Sequence, residues 1–214
     1  MSVRRGLALG LVGLVLVAGG ATAQSRRNMT IHASAALARV NRQTVLDTTQ
    51  LSGMLVGLEA GFRLGKFELR GSYAQGSVEE DGGASNDLVE GELMLGVRPL
   101  DKLLFRFGPR ARSFVTPAGT LRWVFWEARV RLETSLNATG SFWSYFEGGY
   151  TLFGGVNSAE AFGGGRGLEG GLGFALGSTP LKVRVGYRID RGALDSDVRA
   201  EAVDALQISV GIGR

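Results

Sequence analysis

The chain has no cysteine, a single histidine and only four prolines among 214 residues. Without cysteine there is no disulfide framework, no thiol to carry a lipoprotein anchor and no Cys-based metal centre. The one histidine, His32, has no second histidine to complete a metal-ligand set and no acidic cluster adjoining it in sequence. It is read as a small polar residue, because a general base needs a partner within hydrogen-bond reach. A one-sign charge stripe is missing too. The net charge is +4 with a pI of 9.8, but arginines are scattered singly among glutamates. That spacing argues against a nucleic-acid partner. Helical periodicity is also absent after the first twenty-odd residues, where no segment repeats apolar residues at i, i+3 and i+4.

What is present begins with an export pattern. Arg4 and Arg5 precede an uncharged apolar run, Gly6 to Val17, and Ala21-Thr22-Ala23 supplies the small residues of a cleavage site. The run falls well short of the roughly 20 residues that span a bilayer as a helix. It therefore predicts a signal peptide over residues 1–23, cleaved after Ala23, with one domain over residues 24–214.

In that domain the apolar period is two. Met54, Val56, Leu58, Ala60, Phe62 and Leu64 alternate with Glu59, Gly61 and Arg63; after Gly65-Lys66, Phe67, Leu69 and Tyr73 alternate with Glu68 and Arg70. The same rhythm runs through Val89–Arg98, Leu103–Arg110, Val124–Glu133, Leu168–Leu176, Leu181–Ile189 and Leu206–Ile212. Met29–Val40 and Phe142–Phe153 add two weaker strands, giving ten. The intervals between them alternate. Gly65-Lys66, Pro99–Lys102, Leu136–Gly140 and Gly177–Pro180 read as short turns. Asn41–Gly53, Gly76–Asp87, Ser113–Leu121, Gly154–Arg166 and Arg191–Ala200 read as long loops. Gly163-Gly164-Gly165-Arg166-Gly167 lacks the Lys-Ser/Thr ending of a phosphate loop and falls in the last but one of these. Long and short connections in strict alternation predict an all-β, closed, antiparallel up-and-down transmembrane barrel of about ten strands (8–12), both termini in the periplasm.

Charge placement favours a membrane over water outside. The polar faces carry Glu59, Arg63, Glu68, Arg70, Glu90, Glu92, Arg98, Arg106, Arg110, Glu127, Arg129, Arg131, Glu133, Glu169, Lys182, Arg184 and Arg188, with little lysine. Paired Glu and Arg at strand centres suit a packed polar interior, since the planar guanidinium bonds carboxylates bidentately. Tyr73, Trp126, Phe142, Trp143, Phe146 and Tyr150 fall toward strand ends, where headgroup-level aromatic girdles sit.

On these residues the chain resembles the small outer-membrane β-barrel proteins of Gram-negative bacteria, the OmpA- and OmpX-like class. The resemblance is architectural and covers everything after Ala23. It implies outer-membrane lipid, lipopolysaccharide and the barrel-assembly machinery as partners. Members of the class end on an alternating strand closed by an aromatic. Leu206, Ile208, Val210 and Ile212 match that alternation, while Arg214 stands in the aromatic's place.

Turn geometry places opposite charges face to face. A two-residue turn at Gly65-Lys66 sets Arg63 opposite Glu68, and the turn at Gly177–Pro180 sets Glu169 opposite Arg188. Pro99–Lys102 sets Glu92 opposite Arg110 and Glu90 opposite Arg112; a symmetric turn at Leu136–Gly140 sets Arg129 opposite Glu147. The expected site is thus a lumen charge network. It holds Glu59, Arg63, Glu68, Arg70, Glu90, Glu92, Arg106, Arg110, Glu127, Arg129, Arg131, Glu147, Glu169, Lys182, Arg184 and Arg188. No catalytic residue, metal or cofactor is expected. A structural or surface-interaction barrel comes first, a narrow channel for small polar solutes second, and an outer-membrane hydrolase or lipid-modifying enzyme third.

Overall fold

A computed structural model describes residues 29–43, 48–80, 83, 85–116, 119–157, 161–194 and 200–213. The signal peptide predicted for residues 1–23 and the terminal Arg214 lie outside them. Ten strands follow in chain order: β1 Met29–Gln43, β2 Thr48–Leu64, β3 Phe67–Glu80, β4 Ser85–Leu100, β5 Leu103–Thr116, β6 Gly119–Ser135, β7 Phe142–Val156, β8 Phe162–Ala175, β9 Leu181–Leu194 and β10 Ala200–Ile212. Each pairs antiparallel with its chain neighbour, and β1 closes on β10. Closure removes the sheet edges that lipid could not satisfy.

Met29 and Ile212 share one end, the turn end, with the connections at residues 65–66, 101–102, 136–141 and 176–180. At the opposite, loop end the strands are separated by residues 44–47, 81–84, 117–118, 157–161 and 195–199. The expected long loops are therefore mostly strand, and the Gly163–Gly167 segment lies inside β8. The physical reason is that ladder pairing outlasts the membrane alternation. Beyond the apolar band the outer face turns to Gln50, Ser52, Gln75 and Ser77, which suit water while the backbone keeps its partners.

One ladder is shorter than the rest. β7 and β8 pair from Phe142 opposite Phe174 to Tyr150 opposite Arg166, so the later part of β7, Thr151–Val156, pairs with β6 alone. Phe162 fills the inner side of this seam. It stacks edge-on against Trp123 and Phe125.

The barrel is turned inside out relative to a soluble one. Phe67 is 67% exposed and Leu95 66%, whereas Arg112 is 1% exposed and Arg131 and Glu147 2% each. Val130 and Leu132 point outward, and Trp126 stacks there on Phe107 and Phe153. Phe142 stacks outside on Phe174, and Tyr150 is exposed further along the same strand. From Phe142 to Tyr150 is roughly 26 Å at about 3.3 Å per residue, which strand tilt shortens toward the height of an apolar membrane band. Trp143 departs from the predicted girdle. It lies in the lumen over Gly173, where a Cβ would come 2.2 Å from the ring. Gly186 likewise makes room for Tyr145. Inner-wall glycines thus admit large rings into a narrow lumen.

Candidate functional site: the barrel lumen

The lumen has three levels. At the turn end is a cup of about 340 Å³, walled by Arg63, Glu68, Arg98, Trp143, Lys182 and other polar side chains. Above it lies a belt of ion pairs. Nearest the loop end, Val40, Leu51, Leu55, Val78, Leu88, Phe114 and Val203 pack together, and Trp123, Phe125 and Leu194 form a second apolar group beside them.

Pairs across the lumen, between strands that are not neighbours, hold the belt together. Arg106 of β5 meets Glu147 of β7 at 2.6 Å and Glu68 of β3 at 2.8 Å. Arg110 and Arg112, also on β5, reach Asp190 of β9 at 2.7 Å and Glu201 of β10 at 3.2 Å. Arg188 of β9 meets Glu90 of β4 at 2.6 Å, and Arg184 meets Glu59 of β2 at 3.0 Å. Glu147 also holds Arg129 at 3.2 Å and Arg131 at 3.7 Å, and Arg129 bonds Glu127 and lies 3.4 Å from Glu92. Arg70 ties Glu59 at 2.8 Å to Glu92 at 3.5 Å. Such buried pairs must offset their own desolvation, so they specify which strands face each other more than they add net stability.

The register agrees with the turn geometry at four places. Arg63 is opposite Glu68, Glu169 opposite Arg188, Glu92 opposite Arg110 and Glu90 opposite Arg112. Facing in the ladder did not guarantee contact. Only Glu90 and Arg112 of these four form an ion pair, at 2.8 Å. Arg63 instead donates to the Gly65 carbonyl at the rim, and Glu68 turns to Arg106 and Arg98. Glu169 makes no ion pair among the described residues. The fifth pairing is corrected: Arg131 stands opposite Glu147, and Arg129 opposite Gly149. The β6–β7 turn is centred one residue later than a symmetric Leu136–Gly140 turn, because the Asn137 side chain accepts from the Phe142 amide and Gly140 adopts φ +69°. Arg129 reaches Glu147 diagonally all the same.

Lys182 is the other exception in the network. No carboxylate lies within 4.0 Å of it among the described residues, and its ammonium sits 6.0 Å from the Trp143 ring. His32 has an acidic neighbour after all, for Glu59 faces it on β2. That carboxylate is already held by Arg70 and Arg184, and the His32 Nδ1 is buried without a hydrogen-bond partner.

Arg42, Asp190 and Glu201 escaped the sequence reading, and Arg98, Arg112 and Glu133, though read on polar faces or in register, were left out of the expected site. Arg112 alternates with Arg110, and Asp190 with Arg188, so both were visible as inner-face positions. Glu201 borders a segment read as loop. The inner apolar level was missed altogether. Its sign is the loss of alternation where both faces turn apolar, as in Leu121–Trp126 and Leu88-Val89.

A closed wall with lipid-suited side chains outside and charges within defines the class: a transmembrane β-barrel of the outer-membrane type. No family model matches the chain, and no curated protein matches it. Among solved structures it is similar to the Neisserial surface protein A, at 11% identity and a TM-score of 0.40 over 87% of this chain and 97% of that one. The translocator domain of the autotransporter NalP from Neisseria meningitidis gives 12% and 0.46 over 99% and 96%. A Pseudomonas aeruginosa FadL homologue gives 6% and 0.40 over 86% and 90%. Likeness at this level transfers no residue role.

Proposed function

We propose that the protein is a sealed outer-membrane barrel of a Gram-negative bacterium, serving a structural or surface-interaction role, with its turn end toward the periplasm. One observation carries the reading: the lumen is obstructed twice in series. A solute that passed the ion-pair belt would meet Trp123, Phe114 and Val40, each no more than 1% exposed. Narrowness supports it, since eight-stranded barrels are already filled by side chains and aqueous channels come at about sixteen strands.

Outer-membrane lipid and lipopolysaccharide are its proposed partners along the wall, and the assembly machinery inserts it. Arg166 and Arg191 support the lipid partner. They face outward directly opposite each other on β8 and β9, beside Tyr150. Like charges so placed repel unless an anion, such as a lipid phosphate, bridges them. Recording from the purified barrel in planar bilayers tests the sealed reading. We expect no stable conductance steps; reproducible steps of one size would overturn it in favour of a channel for small polar solutes.

A further inference from the structure

The belt and the apolar level leave the cup at the turn end as a blind recess. Its composition is not balanced. Seven of its lining side chains are cations and four are carboxylates. Three of the carboxylates are already committed: Glu59 to Arg70 and Arg184, Glu68 to Arg106, and Glu133 to Arg98 and Arg131; the fourth, Asp101, sits exposed in the turn at the mouth. Of the seven cations, Lys182 on the wall and Arg63 at the rim have no carboxylate within 4.0 Å among the described residues. Polar atoms behind the wall are under-used as well. Nη1 of Arg131 and Nδ1 of His32 are buried with no hydrogen-bond partner, and both residues line the recess. The other lumen arginines each have a carboxylate within 4.0 Å among the described residues, so the two unpaired cations are a local feature, although buried polar atoms without partners also occur at Arg42, Arg112, Trp123 and Arg188.

A net-positive recess with low-dielectric walls concentrates anions, because field lines are focused toward its mouth. Its 340 Å³ corresponds to about ten waters at roughly 30 Å³ each, enough for a small anion with part of its hydration. An arginine rim and a lysine wall are the donors such an anion requires, the lysine acting as a point charge that rotates its three donors toward the ligand. The aromatic floor at Trp143 keeps that ammonium facing inward.

We propose that the turn-end recess is a binding site for a compact polyvalent oxyanion, held chiefly by Lys182 with Arg63 at the entrance. The anion enters and leaves by the same mouth, so the site serves capture or sensing on the turn-end side. Exchange by a single mouth rests on the sealed reading, which conductance tests separately; binding to Lys182 does not.

Isothermal titration of the detergent-solubilised barrel at low ionic strength, with inorganic pyrophosphate in one arm and citrate in the other, tests the site. One saturable site per barrel is expected in at least one arm, weakened as salt is raised. Phosphate and carboxylate chemistry are told apart by which arm binds more tightly. Lys182→Gln should lower affinity at least tenfold and Lys182→Arg should restore most of it. Lys182 balances no carboxylate among the described residues, so both variants should keep the far-ultraviolet circular dichroism of the unaltered barrel. Arg63→Gln should weaken binding less, and Arg39→Gln, on the outer face of β1, should leave it unchanged. Absence of saturable heat in both arms overturns the proposal, as does binding that Lys182→Gln leaves intact or that Arg39→Gln abolishes.

Discussion

The two halves of the lumen are built by opposite means. Toward the turn end the inner face is a network of arginines and carboxylates, with Glu147 alone serving Arg106, Arg129 and Arg131. Toward the loop end it is an apolar core, with Val40, Val78, Leu88, Phe114 and Val203 fully buried as in a soluble protein. The outer faces change in the reverse sense, from exposed Phe67 and Leu95 to Gln50, Ser52 and Ser77. The difference teaches where each half lives. In lipid the apolar exterior gains nothing by packing on itself, so alternation and the turns set the register, and ion pairs inside decide which distant strands face each other. In water the usual arrangement returns, and burial of apolar area inside the barrel drives closure.

Breaking either half should have the largest effect. In the charged half, Glu147→Ala removes a carboxylate shared by three buried guanidinium groups, which keep Glu68, Glu127 with Glu92, and Glu133, and should cost about 3 kcal/mol, the low end of the range for removing one partner of a buried pair. Denaturant unfolding in micelles would measure it, and a loss under about 1 kcal/mol would show that water enters the belt. Leu88→Ala probes the other half. Fully buried in the apolar cluster, it should cost about 2–5 kcal/mol through lost transfer and a residual cavity. It should also speed proteolysis at the loop end while leaving the turn end protected. Glu169→Ala sharpens the contrast within the charged half. Although Glu169 faces Arg188 across the ladder, Arg188 is satisfied by Glu90 and Asp190. The change should therefore cost no more than about 1 kcal/mol, since no buried cation loses its only carboxylate. The smallest effect is expected outside. Arg191→Leu relieves repulsion from Arg166 and should stabilise the barrel by a few tenths of a kcal/mol in neutral detergent, within the roughly 0.2–1 kcal/mol range of cross-strand pairs. In membranes rich in anionic lipid the sign should reverse.

How far the sequence could be read depended on whether an interaction was local. Ten strands, their order and four of five charged registers followed from period-two alternation and turn length, because an antiparallel hairpin is specified by its own residues. The exception, at the β6–β7 turn, shifted the register by two residues. A side-chain bond from Asn137 and one left-handed glycine moved its centre, and neither is implied by apolar spacing.

Sequence by itself determined the hairpins, the separation of charge from apolar surface, and so the inside-out wall, since each rests on neighbours within a few residues or across one turn. Tertiary closure decided the rest. Curling ten strands into a tube brings β5 against β9 and β10, and β9 against β2 and β4, so that Arg110 finds Asp190, Arg112 finds Glu201 and Arg184 finds Glu59. The same closure left Lys182 and Arg63 without carboxylates and folded Trp123, Phe114 and Val203 into a dry plug. A guanidinium pairs with whichever carboxylate lies within its reach across a narrow lumen, and that distance is set by the curvature of the whole sheet.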